Sequence, residues 1–403
     1  MPDSGDAVTV RVVQGLAEVP ADRWDGCAGS DNPFVSHAFL SIIEESGSAT
    51  GETGWQPQHL LVEDAAGRLV GAVPCYLKSH SYGEYVFDWG WAEAFERAGG
   101  AYYPKLQVSV PFTPVTGPRL LVHPDADAGH TRQVLIAGLV ALARRRKVSS
   151  VHVTFCTEAE MHACAEAGFL QRVGKQFHWT NRGYDSFDGF LSGLSSRKRK
   201  AIRKERRDAN AEVEIEVLSG DALQERHMTA FYAFYLNTVD RKWAHAYLDR
   251  RFFPLLRRRL ADRIVLVMAK HDGRYVAGAL NLRGGDTLYG RNWGCTERFR
   301  NLYFEACFYR AIDYAIEHGL KRVEAGAQGP HKISRGYLPT PTWSAHWIRD
   351  SGFREAVANY LVREREQTEF EMEALEDERS PYRRGALSTP PGRGKGGGEA
   401  DGK

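Results

Sequence analysis

The densest concentration of reactive side chains in this sequence follows a short apolar run near its C-terminal end. Residues 326–337 read GAQGPHKISRGY, a glycine-rich turn carrying His331, Lys332 and Arg335. An imidazole with its ordinary pKa near about 6.5 accepts a proton at neutral pH, so His331 is a candidate general base. Lys332 and Arg335 are candidates to hold a phosphate or a developing oxyanion. Just before the turn, Glu324 interrupts an apolar strand, where a carboxylate either meets a cation or lines a cleft. Bland readings stand beside these: His331 caps the loop, and Lys332 is solvated.

A second candidate is the run 197–207, which holds eight cations and one carboxylate, Glu205. Ser195 and Ser196 are placed to cap a helix there, with Ile202 as its clear apolar anchor. Such density exceeds what solubility needs and points to phosphate, with Arg197, Lys198, Lys200 and Arg203 as contacts; the alternative is a solvated face. Trp243, next to Arg241 and Lys242, is a possible stacking residue if the phosphate belongs to RNA. In the first half, His80, Glu84, Asp88, Tyr102, Tyr103 and Lys105 form an aromatic, mixed-charge set suited to a ligand pocket. Tyr103 and Trp89 can equally pack between halves of the molecule.

The elements that must position these residues occur twice. The stretch 59–73 reads apolar strand, Gly67-Arg68 turn, apolar strand, and 265–280 repeats it around Gly273-Arg274. Turn residues between β-prone runs predict a hairpin in each. A further strand is expected at 85–93 and again at 289–297, and the offsets, 206 at Gly67/Gly273 and 204 at Trp89/Trp293, nearly agree. Helices are predicted at about 131–147 and 304–318, each leading to a strand (150–155 and 321–325), with later strands at 173–180 and 342–349. The reading is two similar mixed α/β domains, residues 1–182 and 183–380. A charged helix spans 354 to about 376, and a disordered Gly/Pro-rich tail occupies 381–403.

Composition narrows the class. Of 403 residues, 43% are hydrophobic, and 53 Lys and Arg balance 51 Asp and Glu for a net charge of +2. That profile predicts a packed soluble chain. No run approaches the roughly 18 apolar residues that span a bilayer, and the N-terminus lacks a leader pattern, so a cytoplasmic protein is expected. Six scattered cysteines without a CxxC pair suggest reduced thiols, with no metal site or disulfide framework.

The runs DNPFVSHAFL (31–40), YGEYVFDWGW (82–91), YYPKLQVSVPF (102–112), LSSRKRKAIRKE (194–205) and VEAGAQGPHK (323–332) together resemble the Fem-type, FemAB-like branch of the GNAT superfamily. The resemblance covers about residues 8–380. It implies two tandem GNAT-like domains that transfer an acyl or aminoacyl group to an amine by direct attack, with no metal, covalent intermediate or tightly bound cofactor. The co-substrate is acyl-CoA, slightly favoured, or aminoacyl-tRNA. The acceptor is an amine-bearing small molecule or cell-wall precursor. Neither half carries the Gln/Arg-x-x-Gly-x-Gly/Ala loop with which acyl-CoA enzymes of this superfamily grip pyrophosphate. A non-catalytic RNA-binding module on the same fold is the alternative. By this resemblance the chemistry lies where two adjacent strands of the second half splay apart, which makes His331, Lys332 and Glu324 the catalytic candidates and Arg335 a donor-binding one. Arg291, Trp293 and Gln328 join Trp243 and the first-half set as substrate-binding candidates.

Overall fold

The computed structural model describes residues 8–241, 246–326 and 329–383. Trp243, Gln328 and residues 384–403 lie outside the described residues.

The strands, in chain order, are β1 (Thr9–Val13), β2 (Trp55–Pro57), β3 (His59–Glu63), β4 (Leu69–Val73), β5 (Cys75–Lys78), β6 (Lys105–Val108), β7 (Leu121–Val122), β8 (Ser150–Cys156), β9 (Leu170–Thr180), β10 (Glu214–Leu218), β11 (Ile264–His271), β12 (Arg274–Gly284), β13 (Thr287–Cys295), β14 (Arg322–Glu324) and β15 (Leu338–Ile348). Among the described residues they form a small sheet, β1-β3-β4-β7, and an 11-stranded sheet, β10-β11-β12-β13-β14-β9-β15-β8-β6-β5-β2. Both expected hairpins are present, β3/β4 and β11/β12. Gly67 and Gly273 stand at φ +77° and +74° in their turns, a conformation that carries little penalty only without a Cβ. The first hairpin is bent: Pro74, with no N–H to give a ladder, separates β4 from β5, so one hairpin serves both sheets.

The crossover helices Ala128–Arg146 and 302–317 lie close to their expected spans. Each joins parallel strands, β6 to β8 and β13 to β14. The second contains a π-helical turn, Glu305–Tyr309. The strand expected at 85–93 is instead the helix Trp89–Arg97. Trp91, Ala92 and Phe95 fall on one side of a 3.6-residue period and pack with Tyr102, Ile348 and Phe353, and this packing overrides the β preference of the aromatic residues. The Trp89/Trp293 match is therefore one of letters: Trp293 is on a strand, and the first-half strand that occupies the position of β13 is β6.

The halves exchange their last strands. β9 pairs with β14 of the second half, β15 pairs with β8 of the first, and β9 and β15 pair with each other over nine residue pairs. The helix Ser351–Arg379 then crosses β9 and β15. Pro381–Arg383, placed in the tail by the sequence reading, are instead packed: Tyr382 is buried, bridges Leu194 and donates its hydroxyl hydrogen to Gly336 O at 2.8 Å. The six cysteines, five of them buried, are distributed over the fold outside any disulfide among the described residues. No helix among the described residues is long and apolar enough to cross a membrane.

Candidate functional site

β13 and β14 pair only at 287–289 with 322–324 and then part. A bulge opposite Leu280/Asn281 turns β13 away, and Gly290, whose added Cβ would stand 3.2 Å from the Glu324 carbonyl oxygen, permits the close approach before the split. Glu324 sits at the parting point with its side chain 4% exposed. Burial pushes its carboxyl up to about 7, and Arg322, 3.8 Å away, and Arg119 oppose this only in part. Oε2 has no hydrogen-bond partner. His178 Nε2 lies 4.0 Å from that oxygen and 3.1 Å from Gln176 Oε1, while its Nδ1 has no partner. Burial, with Arg322 and Lys332 nearby, holds the imidazole down at about 3 and so neutral. A carboxyl that titrates near neutrality beside a neutral imidazole is equipped to take a proton and pass it on.

The 329–337 segment braces this point from behind. Lys332 is buried and donates to Ala325 O at 2.6 Å and Gly326 O at 2.8 Å, the carbonyls left unpaired as β14 ends; burial pulls its ammonium down to about 8. Arg335 Nη2 donates to both carboxylate oxygens of Glu205, each at 2.9 Å, and the guanidinium lies on the Phe304 ring. His331 is exposed, 5.8–6.0 Å from the rings of Tyr303, Phe304 and Phe308, and partial burial lowers its pKa. Lys332→Met is therefore expected to cost more than His331→Ala, about 2 kcal/mol of stability from two stranded carbonyls against less than about 1. Chemical denaturation of both variants checks the ordering, and full activity in a His331→Ala/Lys332→Ala double variant removes both from the chemistry.

In the first half, six predicted residues converge. Lys105, on β6, is fully buried and donates to Ser81 Oγ, Glu84 Oε2 and Asp88 Oδ2; Asp88 also accepts from Tyr102, and Ser81 contacts the Tyr103 hydroxyl. His80 bonds Lys78 and the Thr53 carbonyl at the rim. Burial pushes Glu84 up to about 7; it also lifts Asp88, but the ammonium of Lys105 and the nearby His152 outweigh it and hold that carboxyl below its usual range. The first-half splay, between β6 and β8, is closed by the chain itself: Arg119, fully buried, donates to the carbonyls of Thr154, Val115, Gly117 and Pro118. The open splay is the second one.

Residues paired across a ladder share a face of the sheet. Lys78 with Lys105, Gln107 with His152, His152 with His346, Thr154 and Arg172 with Ser344, and His178 and Tyr289 with Glu324 therefore make one polar face that crosses both halves. The 111–118 loop lies over it, held by Gln176 Nε2 to Pro114 O at 2.8 Å and by Arg291, which reaches Phe112 O and Thr113 Oγ1. Burial lowers Arg291 to about 10. Trp293, further along β13, is half-buried against Tyr303. On one side of the loop opens a 270 Å³ cavity that includes Gln176, Arg172 and Tyr85. On the other opens a 420 Å³ cavity that includes Arg322, Tyr289, Asp286 and Asp31. Neither Glu324 nor His178 lines either cavity; Gln176, two residues before His178 on β9, borders the first, and Tyr289, the ladder partner of Glu324, borders the second.

The cationic run forms the helix Ser196–Asn210. Ser195 stands at its N-cap but makes no side-chain capping bond. Arg203 pairs with Asp188 and Arg206 with Glu305 and Asp313, whereas Arg197, Lys198, Arg199, Lys200 and Lys204 have no ion-pair partner among the described residues. Four of these five occupy the first turn and a half, where the helix dipole disfavours cations.

Sequence reasoning missed His178, Gln176, Tyr289, Arg322, Arg119, His152 and His346. One signal was available: Arg172, Gln176 and His178 alternate along β9, and polar residues at even spacing mark one strand face.

A family model described as FemAB-like, peptidoglycan biosynthesis/recognition, matches residues 15–384. The chain belongs to this FemAB-like family. No curated protein matches its sequence. Among solved structures, FemX superposes with a TM-score of 0.54 at 12% identity, covering 84% of this chain and 98% of FemX. The C-terminal domain of a putative lysylphosphatidylglycerol synthetase from Agrobacterium fabrum gives 0.54 at 10% identity, covering 87% and 96%. L-PGS from Bacillus licheniformis gives 0.50 at 10%, covering 82% and 98%. At these identities the likeness is one of fold. Membership supports an acyltransferase-type function for this FemAB-like protein.

Proposed function

We propose that this FemAB-like protein transfers an aminoacyl group from aminoacyl-tRNA to the amine of a cell-wall precursor or a related small molecule, in the cytoplasm, with the chemistry at the second-half splay. The observation that carries the reading is Glu324: a buried carboxyl near neutrality, with one oxygen unpartnered, at the point where two strands part. The acceptor amine attacks the ester carbonyl. The C–N bond forms, the bond between the carbonyl carbon and the ribose oxygen breaks, and the amine's proton passes to Glu324 and from it to the leaving ribose oxygen. Substrate-binding roles fall to Arg291, Trp293 and the first-half set of His80, Glu84, Asp88, Tyr102, Tyr103 and Lys105, all of which flank the same sheet. No tightly bound cofactor is required.

The choice of donor departs from the sequence-level preference for acyl-CoA for a physical reason. A helix N-terminus grips pyrophosphate through free amides and a positive dipole, but the turn that follows β13 already holds a buried carboxylate, Glu305, neutralised by Arg206 and Arg310. The unpaired cations lie on the 196–210 helix instead, spread as a polyanion would need. The name lysylphosphatidylglycerol synthetase, borne by a protein of similar fold, also describes an aminoacyl product.

The test is to incubate the purified protein with a set of aminoacyl-tRNAs and, separately, acyl-CoAs, each with candidate amines. Amine-dependent deacylation of tRNA supports the reading, thiol release from CoA redirects it to the other donor, and tRNA binding without turnover on either favours the RNA-binding module. Arg197→Glu/Lys198→Glu/Lys200→Glu is expected to raise KM for the tRNA at least tenfold with kcat little changed. The salt dependence of binding flattens with it, because fewer counterions are released.

A further inference from the structure

Glu205 is the one carboxylate within the cationic run, and it faces the core. Both of its oxygens accept from Arg335 Nη2, each at 2.9 Å, and it accepts from the buried hydroxyl of Tyr309 in the π-helical turn. Its neighbour Arg206 pairs with Glu305 of the same turn and with Asp313. Arg335 closes the short helical segment Pro330–Arg335 and also donates to His331 O at 2.9 Å. Within that segment Lys332 holds the carbonyls of Ala325 and Gly326, the two residues that follow Glu324. Charged hydrogen bonds made by Arg335 and Lys332, joined through the backbone of the Pro330–Arg335 segment, thus connect the cationic helix to the end of β14. Each link is buried or half-buried, where such bonds are strong and directional. Arg197, Lys200 and Lys204 are exposed on this helix, so one element offers cations to a polyanion on its open side and braces the reacting end of β14 through Glu205.

We infer that Glu205 is a positioning residue that couples the cationic helix to Glu324 through Arg335 and Lys332. The inference rests on the reading of Glu324 as the base. Glu205 touches neither substrate nor reacting atoms. It sets where β14 ends and so where the Glu324 carboxyl points, and a displacement of about 1 Å there costs about 100-fold in rate. Donor affinity belongs to the outward cations and is separate.

Glu205→Gln is compared with wild type and with the charge-swapped pair Glu205→Arg/Arg335→Glu. The expected result is a fall in kcat of about 10- to 100-fold with KM for the tRNA within about twofold, partial recovery of kcat in the swapped pair, and faster backbone hydrogen exchange at 322–326 in Glu205→Gln. The inference is overturned if kcat is kept, if KM rises instead, or if exchange at 322–326 is unchanged. The exchange measurement needs no turnover. A wild-type protein inactive on every donor therefore condemns the catalytic reading by itself, while exchange still decides whether Glu205 governs the end of β14.

Discussion

Replacing Glu324 by glutamine lowers kcat/KM by about 10²- to 10⁴-fold and raises the stability of the protein at pH 8. The activity loss follows from removing the group that takes the amine's proton. The wild-type rate should fall about tenfold per pH unit below about 7, as Glu324 becomes protonated, and this acid limb should vanish in the variant. The stability gain follows from linkage. Glu324 is raised from 4.5 to about 7 by burial, so between those values the native state binds more protons than the unfolded state. Wild-type stability therefore declines as pH rises through that window, by about 3 kcal/mol in all. Glutamine has no charge to desolvate and avoids the decline. Urea denaturation at pH 5 and pH 8 should show the variant's advantage growing with pH. A variant that loses both activity and stability at pH 8 makes Glu324 an ordinary structural carboxylate, satisfied by Arg322.

Lys105→Met is expected to destabilise the protein by about 3–5 kcal/mol at pH 8, the largest effect on stability anticipated here. The ammonium is fully buried and serves Glu84 and Asp88 together; without it two carboxylates, each with an oxygen already unpartnered, remain in the core. Desolvation then raises both carboxyls, so the variant's native state holds more protons than its unfolded state above the ordinary carboxylate range. Its deficit is greatest at pH 8 and shrinks toward pH 5 as those protons bind. Equal losses at the two pH values would show that the damage is packing rather than charge. A triple variant, Glu84→Gln/Asp88→Asn/Lys105→Met, should recover much of the stability, since replacing a whole buried ionic set costs far less than breaking it. If the first domain also holds the acceptor, the triple variant folds but loses acceptor affinity.

Much of the second half was legible because local patterns carry it. The hairpin around Gly273, the crossover helix over 302–317, the cationic helix from Ser196 and the long C-terminal helix each rest on turn residues, amphipathic spacing or charge density within a few turns of chain. The Lys105, Glu84 and Asp88 group was also found, since charged residues among aromatics stand out within some twenty positions. The 89–97 segment misled because its Trp and Phe content suits a strand equally well, and only the packing of Trp91 and Phe95 decides for a helix.

The sequence by itself determined a duplicated α/β chain, the open turn after β14, the carboxylate at its head and a helix too cationic for solubility alone. Tertiary structure decided which of these act together. The exchange of β9 and β15 sets His178 beside Glu324 across 146 positions of chain, and Arg119 closes one splay while the other stays open. Neither is readable from local pattern, because each depends on which distant strand fills an unpaired edge and on the desolvation that follows. That desolvation gives Glu324 its pKa near neutrality, and it exists only once the sheet has closed around the carboxyl.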